Sequence, residues 1–320
     1  MSARGDAELE RGEIQVAGVR RTYSLARAAR QPGQAPPPLL IALHGSGMDG
    51  RGMAWFTGLA RRGPAAGLTV VFPDGWKGGW HPARPPAEVP ELDDERFLAD
   101  LAGHLGGLGA ASSWPVFLAG VSQGARYAEH LARHALLPVT GLFLVAGTGL
   151  EFSRRLSPVP QLRAAMTLVI GTGDRTTPYA GGRLTRGGLS GLLLKRRAAR
   201  HGEQPGEDIV TGAEDLVTDW ARANWITGNR RPVEPVITEL PMPSPDDPPV
   251  TRKTWSKPGC HPVSLYRIEG GGHGWPGGPQ FLPSRAIGPI SKHLDATGLL
   301  LDMADRATVQ APRRPALGRD

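Results

Sequence analysis

The chain has 320 residues, 40% hydrophobic and 21% charged, enough to bury one large core and outside the range of an intrinsically disordered protein. Its net charge of +7 comes from 37 Lys and Arg against 30 Asp and Glu, mostly as scattered Arg. The densest basic run, Lys195-Arg196-Arg197, falls in a helical stretch without interleaved aromatics, which marks a solvated face and argues against a nucleic-acid footprint.

In chain order, "EIQVAGVRRTYSLAR" (13–27) alternates polar and apolar residues and turns at Gly18, so it predicts an edge hairpin. "PLLIALHG" (38–45) and "GLTVVFPDG" (67–75) are continuous apolar runs that stop at small or polar residues. "WPVFLAG" (114–120), "GLFLVAG" (141–147), "MTLVIGTGD" (166–174) and "VSLYRIEGGGH" (263–273) repeat that pattern. Such runs suit parallel strands buried on both faces. Helical spacing falls between them, at 93–108, 123–137, 213–226 and 288–307. The first of these helices opens on Asp93-Asp94, which suits the positive end of a helix dipole. Alternating strands and helices predict a doubly wound α/β fold with a mostly parallel sheet of about eight strands and helices on both faces. One domain is expected over 13–307, with flexible termini at 1–12 and 308–320. Gly/Arg-rich 180–212 and Pro-rich 228–258 read as irregular insertions at the active-site edge.

The chemistry centres on Gly120-Val121-Ser122-Gln123-Gly124. In a chain with 44 Gly, chance alone supplies roughly 0.3 such G-x-S-x-G patterns, so the pattern by itself decides nothing. Its position decides more: a buried strand precedes Ser122 and a helix follows it, the setting of a nucleophile elbow. The competing reading is a Ser that caps the helix. A Ser hydroxyl needs a base, and His273 stands in the glycine turn after the last strand. The remaining histidines lie on helical stretches (His104, His130, His134), in the separate loop after "LLIAL" (His44), or lack a comparable strand-end setting (His81, His201, His261, His293). Asp174, just past another strand, would orient the base and stabilise its cation. Ser122, Asp174 and His273 stand 52 and 99 residues apart, in the nucleophile–acid–base order of α/β-hydrolases. The oxyanion would take the backbone N–H of Gln123 and a second donor from "HGSGMDG" (44–50), with Ser46 the first choice and Gly47 the second. "GTGDRTT" lacks the Lys of a phosphate-binding loop, and no Cys/His group has zinc spacing, so neither cofactor nor metal is expected.

The stretches "LIALHGSGMDG", "VFPDGWKGGW", "ELDDERFLADL", "LAGVSQGARYAEHLA", "GTGDRTTPYAGG" and "LYRIEGGGHGWPGG" together resemble the polyhydroxybutyrate depolymerase and feruloyl/acetylxylan esterase group of α/β-hydrolases. The likeness is collinear over residues 13–304. It implies a serine carboxylic-ester hydrolase with Ser122, Asp174 and His273 as its triad, acting on a small or oligomeric ester. It also implies that Asp93-Asp94 is a structural helix start, and that Trp275 with Trp76 or Trp80 lines the substrate pocket. Secreted members carry a signal peptide and a disulfide. Here Trp225 stands where one Cys would be, Cys260 has no partner, and the N-terminus has no apolar signal core. No apolar run approaches the ~18 residues of a membrane span. A cytoplasmic enzyme with no membrane or nucleic-acid partner is therefore the expectation. An acyltransferase using the same triad, an amidase, and a non-catalytic binding protein on the same fold are the alternatives.

Overall fold

The computed structural model describes residues 9–30, 34–82, 85–106, 114–184, 209–225, 234–242 and 247–310. The basic run 195–197 lies outside them. One ten-stranded sheet runs in the order β1-β2-β4-β3-β5-β6-β7-β12-β11-β10. Its parallel centre comprises β4 (Thr69–Pro73), β3 (Leu39–Leu43), β5 (Val116–Val121), β6 (Gly141–Val145), β7 (Ala165–Gly171) and β12 (Val263–Ile268). At one edge the hairpin of β1 (Glu10–Val16) and β2 (Val19–Ala26) joins antiparallel to β4. At the other, β11 (Val250–Trp255) and β10 (Val236–Glu239) add an antiparallel meander to β12. A small two-stranded ribbon, β8 (Gly182–Arg183) with β9 (Ile209–Val210), stands apart.

The central strands are buried throughout, and their side chains divide by parity. Leu39, Ile41 and Leu43 of β3 face one core, shared with Leu118, Leu142, Leu144 and Leu168. That core is covered by α3 (Asp94–Gly106), α4 (Gln123–Arg133) and α6 (Ala213–Trp225), through Leu98, Leu101, Leu131, Leu216 and Trp220. Leu40 and Ala42 face the other core, with Phe117, Ala119, Phe143 and Val145. It is covered by α1 (Gly50–Thr57), α2 (Leu59–Ala65) and α8 (Ala296–Gln310), through Met53, Phe56, Leu59, Leu300 and Ala304. Period-two alternation in a strand with two apolar faces is the physical content of the continuous runs read from sequence.

Several element bounds differ from those expected. Among the described residues the sheet has ten strands, roughly the number expected, with β10 and β11 lying in the stretch 228–258 read as irregular. β1 opens at Glu10, inside the stretch expected to be a flexible terminus, where its register pairs Glu10 with Leu25. The last helix starts at Ala296 and not at 288, and it runs on to Gln310, into the other expected flexible end. The residues before it form a turn of helix, α7 (Ser284–Ile287), and an irregular segment whose carbonyls bind the His273 loop. Three further helices, α1, α2 and α5 (Glu151–Leu156), were not expected. α1 is started by Asp49, whose side chain accepts the Gly52 N–H at 2.7 Å, and is stopped by Gly58 at φ 68°.

Candidate active site

β5, β7 and β12 deliver three side chains to one edge of the sheet. Ser122 stands between β5 and α4 at φ 57°, ψ −117°. That conformation costs a non-Gly residue about 1–3 kcal/mol, so the surroundings must impose it. They do so by crowding. A Cβ on Gly120 would overlap the Gly124 backbone, and one on Gly124 would overlap the Leu43 and His44 carbonyls. The Ser122 N–H donates to Val145 O at 2.9 Å, tying the turn to β6. Although Ser122 occupies the helix N-cap position, its hydroxyl makes no capping bond, so the capping reading does not apply.

The hydroxyl instead meets His273. Ser122 Oγ lies 2.9 Å from His273 Nε2, and His273 Nδ1 lies 2.8 Å from Asp174 Oδ2. Asp174 and His273 are buried, while Ser122 keeps partial access to solvent. Asp174 is fixed by its second oxygen, which accepts the N–H groups of Thr176 (2.7 Å) and Thr177 (2.8 Å). Thr177 is anchored in turn by its hydroxyl, which donates to Ala146 O at 3.1 Å. The His273 loop is held from outside: Gly272 N–H donates to Pro289 O at 2.7 Å and His273 N–H to Ile287 O at 2.6 Å. With Nδ1–H donating to the carboxylate, Nε2 is left as the acceptor for the Ser122 O–H. That is the tautomer a general base needs.

The loop after β3 packs on the turn, and a Cβ on Gly45 would stand 3.3 Å from Ser122 Cβ. Gln123, first residue of α4, presents an N–H with no intrahelical acceptor. Ser46 is exposed in the neighbouring loop. Gly47, the second choice for the other donor, is corrected: its N–H is spent on Gly78 O at 2.7 Å. Two of the three tryptophans are also corrected. Trp80 is 0% exposed, stacked on Tyr127 at 5.5 Å between ring centroids, with its N–H on His44 O at 3.0 Å. Trp275 is 1% exposed and sits against Phe143, on the α1/α8 side of the sheet. Its N–H reaches Thr297 Oγ1 at 2.9 Å, and Thr297 donates to Thr57 O at 2.6 Å. Neither ring has a face left for substrate. Trp76 is partly exposed in the 75–80 loop.

Sequence reasoning gave no role to two side chains beside the turn. His44 is fully buried, with its Nδ1–H on Gly45 O at 2.8 Å and its Nε2 accepting the Gly75 N–H at 2.9 Å. Burial holds its pKa below the ordinary imidazole value. The other is the Gln123 side chain. Its Oε1 accepts the Ser46 hydroxyl at 3.0 Å, and its Nε2 donates to Trp80 O at 3.1 Å. Asp94 behaves as a structural residue. Burial alone would raise its carboxyl pKa, but the His81 hydrogen bond and the Arg21 guanidinium at 2.6 Å more than offset it and leave it low. Among the described residues, no group of three or more His, Cys, Asp or Glu side chains could hold a metal. No helix among them is long and apolar enough to cross a membrane.

No family model matches the chain. Over 305 residues it is 27% identical to "Putative esterase NocK" of Nocardia uniformis subsp. tsuyamanensis, covering 93% of this chain and 83% of that one. Among solved structures it is similar to esterase 2 of Thermogutta terrifontis phosphoramylated by tabun. There the TM-score is 0.51 at 13% identity, over 99% of this chain and 100% of that chain. The chain has the α/β-hydrolase fold. Within that fold, Ser122, Asp174 and His273 follow β5, β7 and β12, at the carboxyl ends of parallel strands, where open α/β sheets bind their ligands.

Proposed function

We propose that the protein is a serine carboxylic-ester hydrolase that works through an acyl-enzyme on Ser122, with Asp174 and His273 completing the triad. The observation that carries this reading is the continuous chain Ser122 Oγ–His273 Nε2 (2.9 Å) and His273 Nδ1–Asp174 Oδ2 (2.8 Å), hung on a strained turn that leaves the hydroxyl uncapped. The likeness to "Putative esterase NocK" supports the reaction class.

In the first step Ser122 Oγ attacks the ester carbonyl carbon while its proton passes to His273 Nε2. The carbonyl π electrons move onto oxygen, and the N–H groups of Gln123 and Ser46 stabilise that oxyanion. Collapse expels the alkoxide, which takes the proton from His273 and leaves as the alcohol. Water then gives a proton to His273, attacks the acyl-enzyme, and releases the acid with Ser122 restored. Asp174 holds the imidazole in register and stabilises its cation throughout. The sequence resemblance to polyhydroxybutyrate depolymerases and feruloyl/acetylxylan esterases selects the substrates to try: acetyl, butyryl, hydroxybutyryl and feruloyl esters.

The test is a panel of p-nitrophenyl and feruloyl esters on the wild type and on Ser122→Ala, beside labelling with a fluorophosphonate. Turnover and labelling that are both lost in Ser122→Ala support the reading. An alanine variant with wild-type turnover refutes it.

A further inference from the structure

We propose that the Gln123 side chain is a positioning residue for the oxyanion hole, setting the place of the Ser46 donor through the loop that carries it. The inference rests on the acyl-enzyme reading above and assigns a role to an amide that touches no reacting atom.

Three segments must stay in register for the two N–H donors to converge: the turn at Ser122, the 44–47 loop and the 75–80 loop. The two loops are bonded to each other, through Gly75 N–H to His44 Nε2 (2.9 Å), Gly47 N–H to Gly78 O (2.7 Å) and Trp80 Nε1–H to His44 O (3.0 Å). The Gln123 amide bonds both of them to the turn. Its Oε1 accepts the Ser46 hydroxyl at 3.0 Å and, more weakly, the Trp80 N–H at 3.4 Å. Its Nε2 donates to Trp80 O at 3.1 Å. The Ser122 N–H is already committed to Val145 O, so it cannot serve as the second donor in place of Ser46. One residue thus supplies a donor from its backbone and locates the other with its side chain. Oxyanion donors act only when aimed in advance at the developing charge.

Removing the amide leaves both donors in the molecule but unties one from the turn. A misplacement of about 1 Å costs on the order of 100-fold in rate. Gln123→Ala should therefore lower kcat by about 10- to 100-fold with KM within about twofold. Ser46→Ala keeps the backbone N–H and removes only the tethering hydroxyl. It should lower kcat several-fold, and it should cost nothing further in the Gln123→Ala background. Gln123→Glu gives a signature that a general folding fault lacks. Its protonated acid can donate to Trp80 O as the amide does, and its carboxylate cannot. Its kcat relative to wild type should therefore rise as pH falls.

The experiment measures kcat and KM on p-nitrophenyl acetate for these variants, with rates normalised to fluorophosphonate-titratable sites, and for Ser122→Ala, with rates normalised to protein concentration. A wild-type kcat in Gln123→Ala overturns the proposal. So do losses that multiply in the double variant, or a Gln123→Glu ratio that does not change with pH. If Gln123→Ala fails to fold, Ser46→Ala and Gln123→Glu carry the test. An active Ser122→Ala sinks the acyl-enzyme reading itself, whereas an inactive one beside a fully active Gln123→Ala sinks only the positioning role.

Discussion

Replacing Asp174 by Asn changes one atom type and tests the triad more sharply than truncation does. Asp174 Oδ1 accepts two backbone N–H groups, from Thr176 and Thr177, and Oδ2 accepts the His273 Nδ1–H. An Asn amide must place its oxygen toward the two N–H donors, because the opposite flip would oppose donors to donors twice and leave both N–H groups unpaired. Its NH2 then faces His273 Nδ1, which can pair only as an acceptor. The ring proton moves to Nε2, toward Ser122 Oγ, and the base is lost. Loss of the correct tautomer costs about 10⁴ in kcat, roughly 5.4 kcal/mol of transition-state stabilisation. The exchange is isosteric, so urea unfolding midpoints should move little. Steady-state kinetics on a p-nitrophenyl ester give the rate, and nitrogen NMR of His273 gives the tautomer. An Asp174→Asn enzyme that keeps a tenth of wild-type kcat would falsify the assignment of Asp174.

Two further outcomes concern stability. Arg133 and Glu129 are buried and bonded at 2.7 Å, and Arg133 also donates to Ser157 O. Arg133→Met strands the Glu129 carboxylate and should cost about 3–5 kcal/mol, while adding Glu129→Leu should recover much of it. Equal urea midpoints for the single and double variants would contradict this. His44, with its pKa lowered by burial, binds its proton less readily folded than unfolded. Its contribution is therefore complete above the unfolded value of about 6.5 and is lost as pH falls from there toward its lower folded value. Urea midpoints should drop between pH 7.5 and 5, and by less in His44→Gln. Parallel slopes in the two proteins would show that His44 does not contribute.

The strands that carry Ser122, Asp174 and His273 were legible because each is a short apolar run ended by small residues, and the site lies where such runs stop. What escaped was whatever depends on partners distant in sequence. Trp80 and Trp275 were expected in the pocket because the family resemblance implied it. Their burial is decided by His44, Tyr127, Phe143 and Thr297, which no local pattern connects to them. β10 and β11 were hidden by the prolines around them, and α1 by the two glycines in its first turn. The Gln123 side chain was set aside in favour of its backbone, since only the folded loops bring Ser46 and Trp80 against it.

The bond between Ser122 and His273 joins residues 151 positions apart, and β12 takes its place in the sheet between β7 and β11. A chain made from its N-terminus at about 5–20 residues per second carries the turn for about 8–30 s before the base even exists. During that time the serine has no partner to take its proton. On the proposed acyl-enzyme mechanism, hydrolytic power is withheld from the nascent chain and arrives only when β12 pairs with β7. In refolding, the return of turnover would mark the last long-range pairing and not the first collapse.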